Sequence, residues 1–581
     1  MNFFKAFLAS CLGTLVTIIL LFVLLIGILS GLASEKEVIV KNNSVLHLKL
    51  DAQITEQQID NPFEGLGVSV SNIGLLPLKQ AIAHAQADPK IKGIYLDVTY
   101  PMAGFSTVEE IRQSLIDFRK DGKWVVAYAD AMSEQAYYLA SAADKIYLNP
   151  EGELEFNGLA IEMTFFKKMF DKLEIKPEIF RVGEFKSAVE PFMLDKMSPE
   201  NRLQLTEMVN SIYDQVLTRI SESRNIPKQK LEEISDNMQA RNAALALNLG
   251  LVDSLLYFDQ VQDELKQRLS LEGSEKVNFI KYNKYRKSID ASGASNENEV
   301  AVIVADGTIY PGGAEDGIVG ADTFIQEIRK ARENKKVKAI VLRINSPGGS
   351  FQASDAMWRE ITLTAKTKPI IASMSDYAAS GGYYLAMGCD TIVAQPHTIT
   401  GSIGIFSVLF DASGLLNNKL GITTEEVKTG QYGEMTTLSR PLTDAEKNVW
   451  QRRTDEIYET FTGKAAEGRG ITKEEIKKVA SGRVWTGIQA KDKGLVDVLG
   501  GFDDAVKIAA DKAGVADNYK VKFYPRVKNF YEQLLDGLEE NARTKAVREE
   551  MGQYYPLYEQ WQHVKSYYGV QARMPFEFQI H

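Results

Sequence analysis

Mostly apolar runs of eight residues recur along the chain, and Ile91–Val98 (IKGIYLDV) and Val337–Ile344 (VKAIVLRI) have the composition of strands buried on both faces of a sheet. Pro369–Met374 (PIIASM) reads the same way. Elsewhere the apolar period lengthens. Over Pro199–Arg224, Leu205, Val209, Ile212, Val216 and Ile220 share one helical face, and Thr443-Asp-Ala-Glu446 is a capping-box start for a second helix. Strands alternating with helices predict α/β units with largely parallel sheet. Ser288–Glu299 (SIDASGASNENE) is small and polar and predicts a linker.

One run fits neither period. Leu15–Leu29 (LVTIILLFVLLIGIL) lies in a stretch, Ala6–Ser34, without a charged side chain. A membrane span needs about 20 apolar residues, and the apolar region of a cleaved signal about 7–15. The run predicts a membrane anchor in contact with lipid, with cleavage after the small-x-small pattern Gly31-Leu32-Ala33 as the alternative. Lys5 before it and Glu35-Lys36-Glu37 after it place the N-terminus inside and the bulk of the chain outside.

Composition narrows the chemistry. The 581 residues carry 67 Lys+Arg against 77 Asp+Glu, a net charge of −10, which argues against nucleic acid as a partner. Two cysteines, Cys11 and Cys389, exclude a disulfide scaffold and a multi-cysteine metal site. Only five histidines are present. No metal and no cofactor are expected.

The chain also resembles itself. Asp130–Pro150 (DAMSEQAYYLASAADKIYLNP) and Asp376–Pro396 (DYAASGGYYLAMGCDTIVAQP) share eight identities over 21 columns, at a displacement of 246. The same register aligns the two strand patterns and brings Gly250-Leu-Val-Asp253 near Gly494-Leu-Val-Asp497, which implies an internal duplication. The copies then part at particular columns. Ser380, in Ser-Gly-Gly-Tyr, falls on Glu134; Gly348-Gly349 fall on Met102-Ala103; Ser402 falls on Phe156. Conversely, with Gly183-Glu-Phe-Lys186 laid on Gly430-Gln-Tyr-Gly433, one column further on, Lys186 of the first copy falls on Gly433. One copy keeps hydroxyls and glycines, the other a lysine, as if a single site were assembled from both.

Those residue types can form a nucleophilic site. A serine opening a helix has unpaired backbone N–H groups beside it, so the Gly381 amide can face an oxyanion formed by attack of Ser380. Gly349, in a turn without Cβ, can bring a second amide close. Lys186 can act as base if burial lowers its pKa, and Ser402 can orient it. Glu184 and Glu190, if they approached, would keep the lysine charged. Each residue also has a plainer reading: Ser380 as a helix cap, the Pro347-Gly-Gly turn as a turn, Lys186 as a solvated charge, Ser402 as a turn residue. His397 is a rival base.

At these residues the chain resembles the protease IV type of signal peptide peptidase, serine peptidases of ClpP/crotonase-like fold. The matching stretches are Arg181–Phe192 (RVGEFKSAVEPF), Asn345–Ser350 (NSPGGS), Ala378–Tyr383 (AASGGY), Thr400–Phe406 (TGSIGIF), Arg483–Gly487 and Gly494–Asp497. The resemblance implies Ser380 as nucleophile, Lys186 as general base, Ser402 as the hydroxyl aiding the lysine, and remnant signal peptides as substrates. It further implies a homotetramer in the bacterial inner membrane, single-pass, with its catalytic domains on the periplasmic side. The expected organisation is an α/β protein of two tandem ClpP/crotonase-like domains after an N-terminal transmembrane helix: anchor 6–33, first domain 44–287 with the lysine, linker 288–299, second domain 300–523 with the serine, and tail 524–581. The tail, rich in Tyr, Phe and charge, is expected to pack as helix on the body or on a neighbouring subunit. Two alternatives are an inert membrane-tethered scaffold of this fold and an acyl-CoA-type enzyme.

Overall fold

The computed structural model describes residues 38–58, 72–289, 297–314, 317–525 and 569–574, with scattered positions between 10 and 20. The first half contributes β1 (Ser44–Lys49), β2 (Ile91–Asp97), β3 (Trp124–Met132), β4 (Lys145–Leu154), β5 (Lys176–Val182), β6 (Ser254–Leu255) and β7 (Asn278–Lys281). The second contributes β8 (Glu299–Asp306), β9 (Thr308–Tyr310), β10 (Ile318–Gly320), β11 (Val337–Ser346), β12 (Gly348–Ser350), β13 (Ile370–Ala379), β14 (Ile399–Gly401), β15 (Ile405–Asp411), β16 (Val484–Thr486), β17 (Lys520–Tyr524) and β18 (Gly569–Arg573). Four helices matter below: α1 (Glu134–Ala140), α2 (Pro199–Arg224), α3 (Gly381–Ala386) and α4 (Asp444–Arg469).

The apolar runs become central strands because burial on both faces removes their apolar side chains from water, while Lys92 and Lys338 stay exposed. The first sheet runs β6–β4–β3–β2–β1–β7, all parallel. The second repeats the winding as β16–β14–β13–β11–β8–β17, parallel except at β16. Ile94 and Leu96 in β2, and Ile340 and Leu342 in β11, have no exposed surface. The long helices also correspond. α2 starts with Ser198 accepting from the Asn201 N–H, and α4 with the predicted capping box of Thr443 and Glu446. On α2 the buried stripe takes Met208 and leaves Val209 half-buried.

The two halves share more than a surface. A third sheet, β10–β9–β12–β18–β15–β5, draws strands from both. Within it β5 leaves the first half and pairs antiparallel with β15, from Val182–Ile405 to Lys176–Asp411. Below it, Arg343 of β11 is wholly buried; its Nε donates to Glu56 Oε2 at 2.9 Å and its Nη1 to Glu110 Oε1 at 2.8 Å. Lys79 holds the other Glu110 oxygen at 2.5 Å. Asp376 accepts from the Thr107 amide at 2.9 Å and from its hydroxyl at 2.6 Å.

Three expectations meet these boundaries differently. The described part of the tail after β17 and its following proline is β18, a strand and not a helix. A helix reaches Ser288 and β8 begins at Glu299, while the middle of the expected linker lies outside the described residues. The expected anchor at 6–33 lies almost wholly outside them too; among the described residues no helix is long and apolar enough to cross a membrane.

Candidate active site

Ser380 stands where β13 ends and α3 begins. A serine in that place ordinarily caps the helix, and Ser133, one column away in the first copy, accepts the Ala136 N–H in that manner. Ser380 does not. Its backbone lies at φ 53°, ψ −109°, and its side chain makes no cap bond. Such a conformation is costly and persists only where neighbours enforce it. Here the Ser380 N–H donates to the Gly401 carbonyl at 2.8 Å and the Tyr384 N–H to the Ser380 carbonyl at 2.8 Å. The hydroxyl, freed from capping, lies 3.0 Å from Lys186 Nζ.

Lys186 is delivered by the crossing strand. Four residues after β5 its side chain enters the second half, where Nζ donates to Ser402 Oγ at 3.0 Å and to the Ser402 carbonyl at 3.1 Å. Lys186, Ser380 and Ser402 have no exposed surface. Burial pushes the amine well below its ordinary 10.5, since a charged ammonium there would lose its water. Among the described residues no carboxylate pairs with it. Glu184 is exposed, and Glu190 turns away to accept from Ser198 Oγ at 2.6 Å and Asn201 Nδ2 at 2.9 Å. The lysine and the serine meet within one chain, as do the residues of both copies that sequence comparison singled out.

Two residues that the sequence did not single out hold the lysine turn. Gln204 on α2 donates through Nε2 to the Phe185 carbonyl at 3.1 Å and to Ser187 Oγ at 2.7 Å, while its Oε1 accepts the Val484 N–H at 3.3 Å. Asn201 accepts from Ser187 Oγ at 2.9 Å. Val484 opens β16, beside the Arg483 carbonyl that accepts the Ser402 N–H at 2.7 Å. The lysine turn and the Ser402 turn are thus tied to one frame. Polar residues on the apolar stripe of α2, at the spacing of Asn201, Gln204 and Met208, were the signal available.

Glycine turns lie close to Ser380. The Gly348 N–H donates to Ser346 Oγ at 3.2 Å, and Gly349 pairs with Ile309 of β9. A Cβ on Gly349 would collide with the Ile309 carbonyl, and a Cβ on Gly348 would lie 2.6 Å from the Gly381 nitrogen. The turn backbone at Gly348 therefore lies close to the Gly381 amide that follows Ser380. His397, the rival base, is elsewhere: it is buried, 3.1 Å from the Tyr138 hydroxyl, and burial together with Arg219 and Arg112 pushes it down to about 3. In the first copy the column of Ser380 is taken by Glu134, which accepts the Asn157 and Gly158 amides at 3.0 and 2.8 Å. In the second copy the column of Lys186 is Gly433, exposed. Among the described residues no group of His, Cys, Asp and Glu could hold a metal ion.

Comparison with known proteins gives a consistent set of relatives. The sequence profile of peptidase family S49 matches residues 117–272 and again 362–516, and that of Clp protease matches residues 304–399. The chain is 35% identical to the chloroplastic serine protease SPPA of Arabidopsis thaliana, over 83% of this chain and 71% of that protein. It is 35% identical to Protease 4 of Haemophilus influenzae, over 84% of this chain and 82% of the relative. Against Protease 4 of Salmonella typhi the identity is 36%, over 81% and 76%.

Proposed function

Because the chain belongs to peptidase family S49 and is a serine endopeptidase built on duplicated ClpP-like α/β domains, we propose that it degrades remnant signal peptides with a Ser380–Lys186 dyad. The observation that carries this reading is a wholly buried lysine amine 3.0 Å from a serine hydroxyl, with no carboxylate to keep it charged.

Neutral Lys186 takes the proton of Ser380 as Oγ attacks the scissile carbonyl. The Gly381 and Gly349 amides receive the oxyanion. Lys186 then passes the proton to the leaving amine, and later activates the water that releases the acyl-enzyme. Ser402 keeps Nζ aimed at the serine through two contacts. Signal peptides as substrates are supported by a relative named putative signal peptide peptidase SppA in Enterococcus faecium, 34% identical over 243 residues. The rest of the proposal is a single-pass enzyme of the bacterial inner membrane, anchored at 6–33, with both domains on the periplasmic side and four copies assembled. The run Leu15–Leu29 supports the anchor. The exposed apolar side chains of Leu420, Ile422 and Val427 support contact between copies.

Labelling by an acylating serine-protease inhibitor tests the dyad. The full chain is expected to be labelled at alkaline pH, and Ser380→Ala and Lys186→Ala to take up none. Peptidase activity surviving both substitutions would overturn the reading, and an inert scaffold would remain unlabelled throughout.

A further inference from the structure

Arg483 opens the stretch Arg483–Gly487 and meets the lysine site both with its backbone and with its side chain. Just before it, Ser481 and Gly482 take left-handed backbone, at φ 53° and 75°. Such a conformation is unfavourable for a serine and persists only where neighbours hold it. The lysine explains the turn: a Cβ on Gly482 would stand 2.5 Å from Lys186 Cβ. The Ser481 carbonyl accepts the Phe185 N–H at 3.0 Å, the Gly482 N–H donates to the Ile403 carbonyl at 2.9 Å, and the Arg483 carbonyl accepts the Ser402 N–H at 2.7 Å. Residues 481–483 thus lie against Lys186 and Ser402 together.

The side chain fastens this turn to the first half. The Arg483 guanidinium carbon lies 4.7 Å from the centre of the Phe185 ring and 4.2 Å from the centre of the Trp485 ring, and Nη2 pairs with Glu207 of α2. Phe185 is the residue that precedes the lysine. Glu207 is exposed, so its ion pair adds little, and the two rings carry the contact. A guanidinium offers flat faces to such rings, whereas a lysine ammonium carries the charge without them.

We propose that Arg483 is a positioning residue of the peptidase: by holding Phe185 against the 481–483 turn, it keeps the Lys186 amine dry and aimed at Ser380. This role rests on the Ser380–Lys186 reading above. Around Nζ stand the Ser380 and Ser402 hydroxyls, the Ser402 carbonyl and the Phe406 ring, 5.9 Å away. Arg181 donates to the Lys186 carbonyl, at 3.4 Å. Burial is what holds the amine neutral. With the Phe185 turn loosened, water reaches Nζ and the amine regains its charge.

Measurements of kcat and KM against pH, made on the full chain in detergent with a fluorogenic peptide, test this in Arg483→Gln, Arg483→Lys and Phe185→Leu. In all three the rising limb of kcat is expected to move up by about one pH unit, a fall of about tenfold below the limb, with KM unchanged and wild-type kcat regained above it. Glu207→Gln leaves the arginine on its rings and is expected to keep the wild-type limb. A limb that stays in place in the Arg483 variants would overturn the proposal, and so would a loss of kcat that alkaline pH does not restore. Inhibitor labelling separates this role from the dyad. Labelling that needs Lys186, beside an unmoved limb, overturns the role of Arg483 alone; labelling that ignores Lys186 overturns both.

Discussion

At the scale of single residues the site depends on two departures from habit. Ser133 and Ser380 both precede a helix, and nothing local in the sequence says which of them caps it. The left-handed backbone of Ser380 is imposed by Gly401 and Tyr384, and it shows only in three dimensions. What the sequence does reveal is the column in which each copy lost its counterpart, and there Ser380, Lys186, Ser402 and both glycines were all legible. Lys186 has a testable consequence. An amine at its usual pKa would be neutral in only about one molecule in a thousand near pH 7.5. Burial lowers the pKa, and the proposed base is the neutral amine, so kcat/KM should rise with pH and level off well below 10.5. A limb near 10.5 would contradict the assignment. Lys186→Arg, charged at every accessible pH, is expected to lose about 10²–10⁴-fold in kcat, the usual contribution of a general base.

At the scale of elements, periodicity located α2 but could not explain its polar residues. Asn201 and Gln204 occupy buried positions on the same stripe as Leu205 and Met208; Asn201 is tied to Ser187 in the preceding turn, and Gln204 also to Val484 far along the chain. Gln204→Leu keeps the volume while removing the donors to Phe185 and Ser187 and the acceptor for Val484. The expected result is a fall in kcat of about tenfold, the size of one net hydrogen bond of about 1.4 kcal/mol, with KM unchanged. An unchanged acid limb together with a raised KM would assign Gln204 to substrate binding instead. β18 was illegible for a different reason: five residues with no partner nearby in sequence carry no pattern that names a sheet.

At the scale of the molecule, local patterns predicted both parallel sheets, because crossovers place sequential strands side by side. They could not predict the mixed sheet, in which Val182 pairs with Ile405 across more than two hundred residues. The halves are also joined by the buried Arg343, Glu56, Glu110 and Lys79 group. Arg343→Ala leaves Glu56 without its guanidinium partner and Glu110 with Lys79 and the Phe502 amide, so a loss of about 3–5 kcal/mol is expected in urea unfolding. The exposed pair of Lys230 with Glu233 should cost about 0–1 kcal/mol when Lys230 is replaced by alanine. Equal losses would show that the buried group does not brace the halves. The strand exchange of β5 has a corollary. Glu134 is bonded to the Asn157 and Gly158 amides in the column where the second repeat carries Ser380, and Gly433 is exposed in the column where the first carries Lys186. No single substitution restores autonomy to either repeat. Either repeat expressed by itself is therefore expected to give protein without peptidase activity.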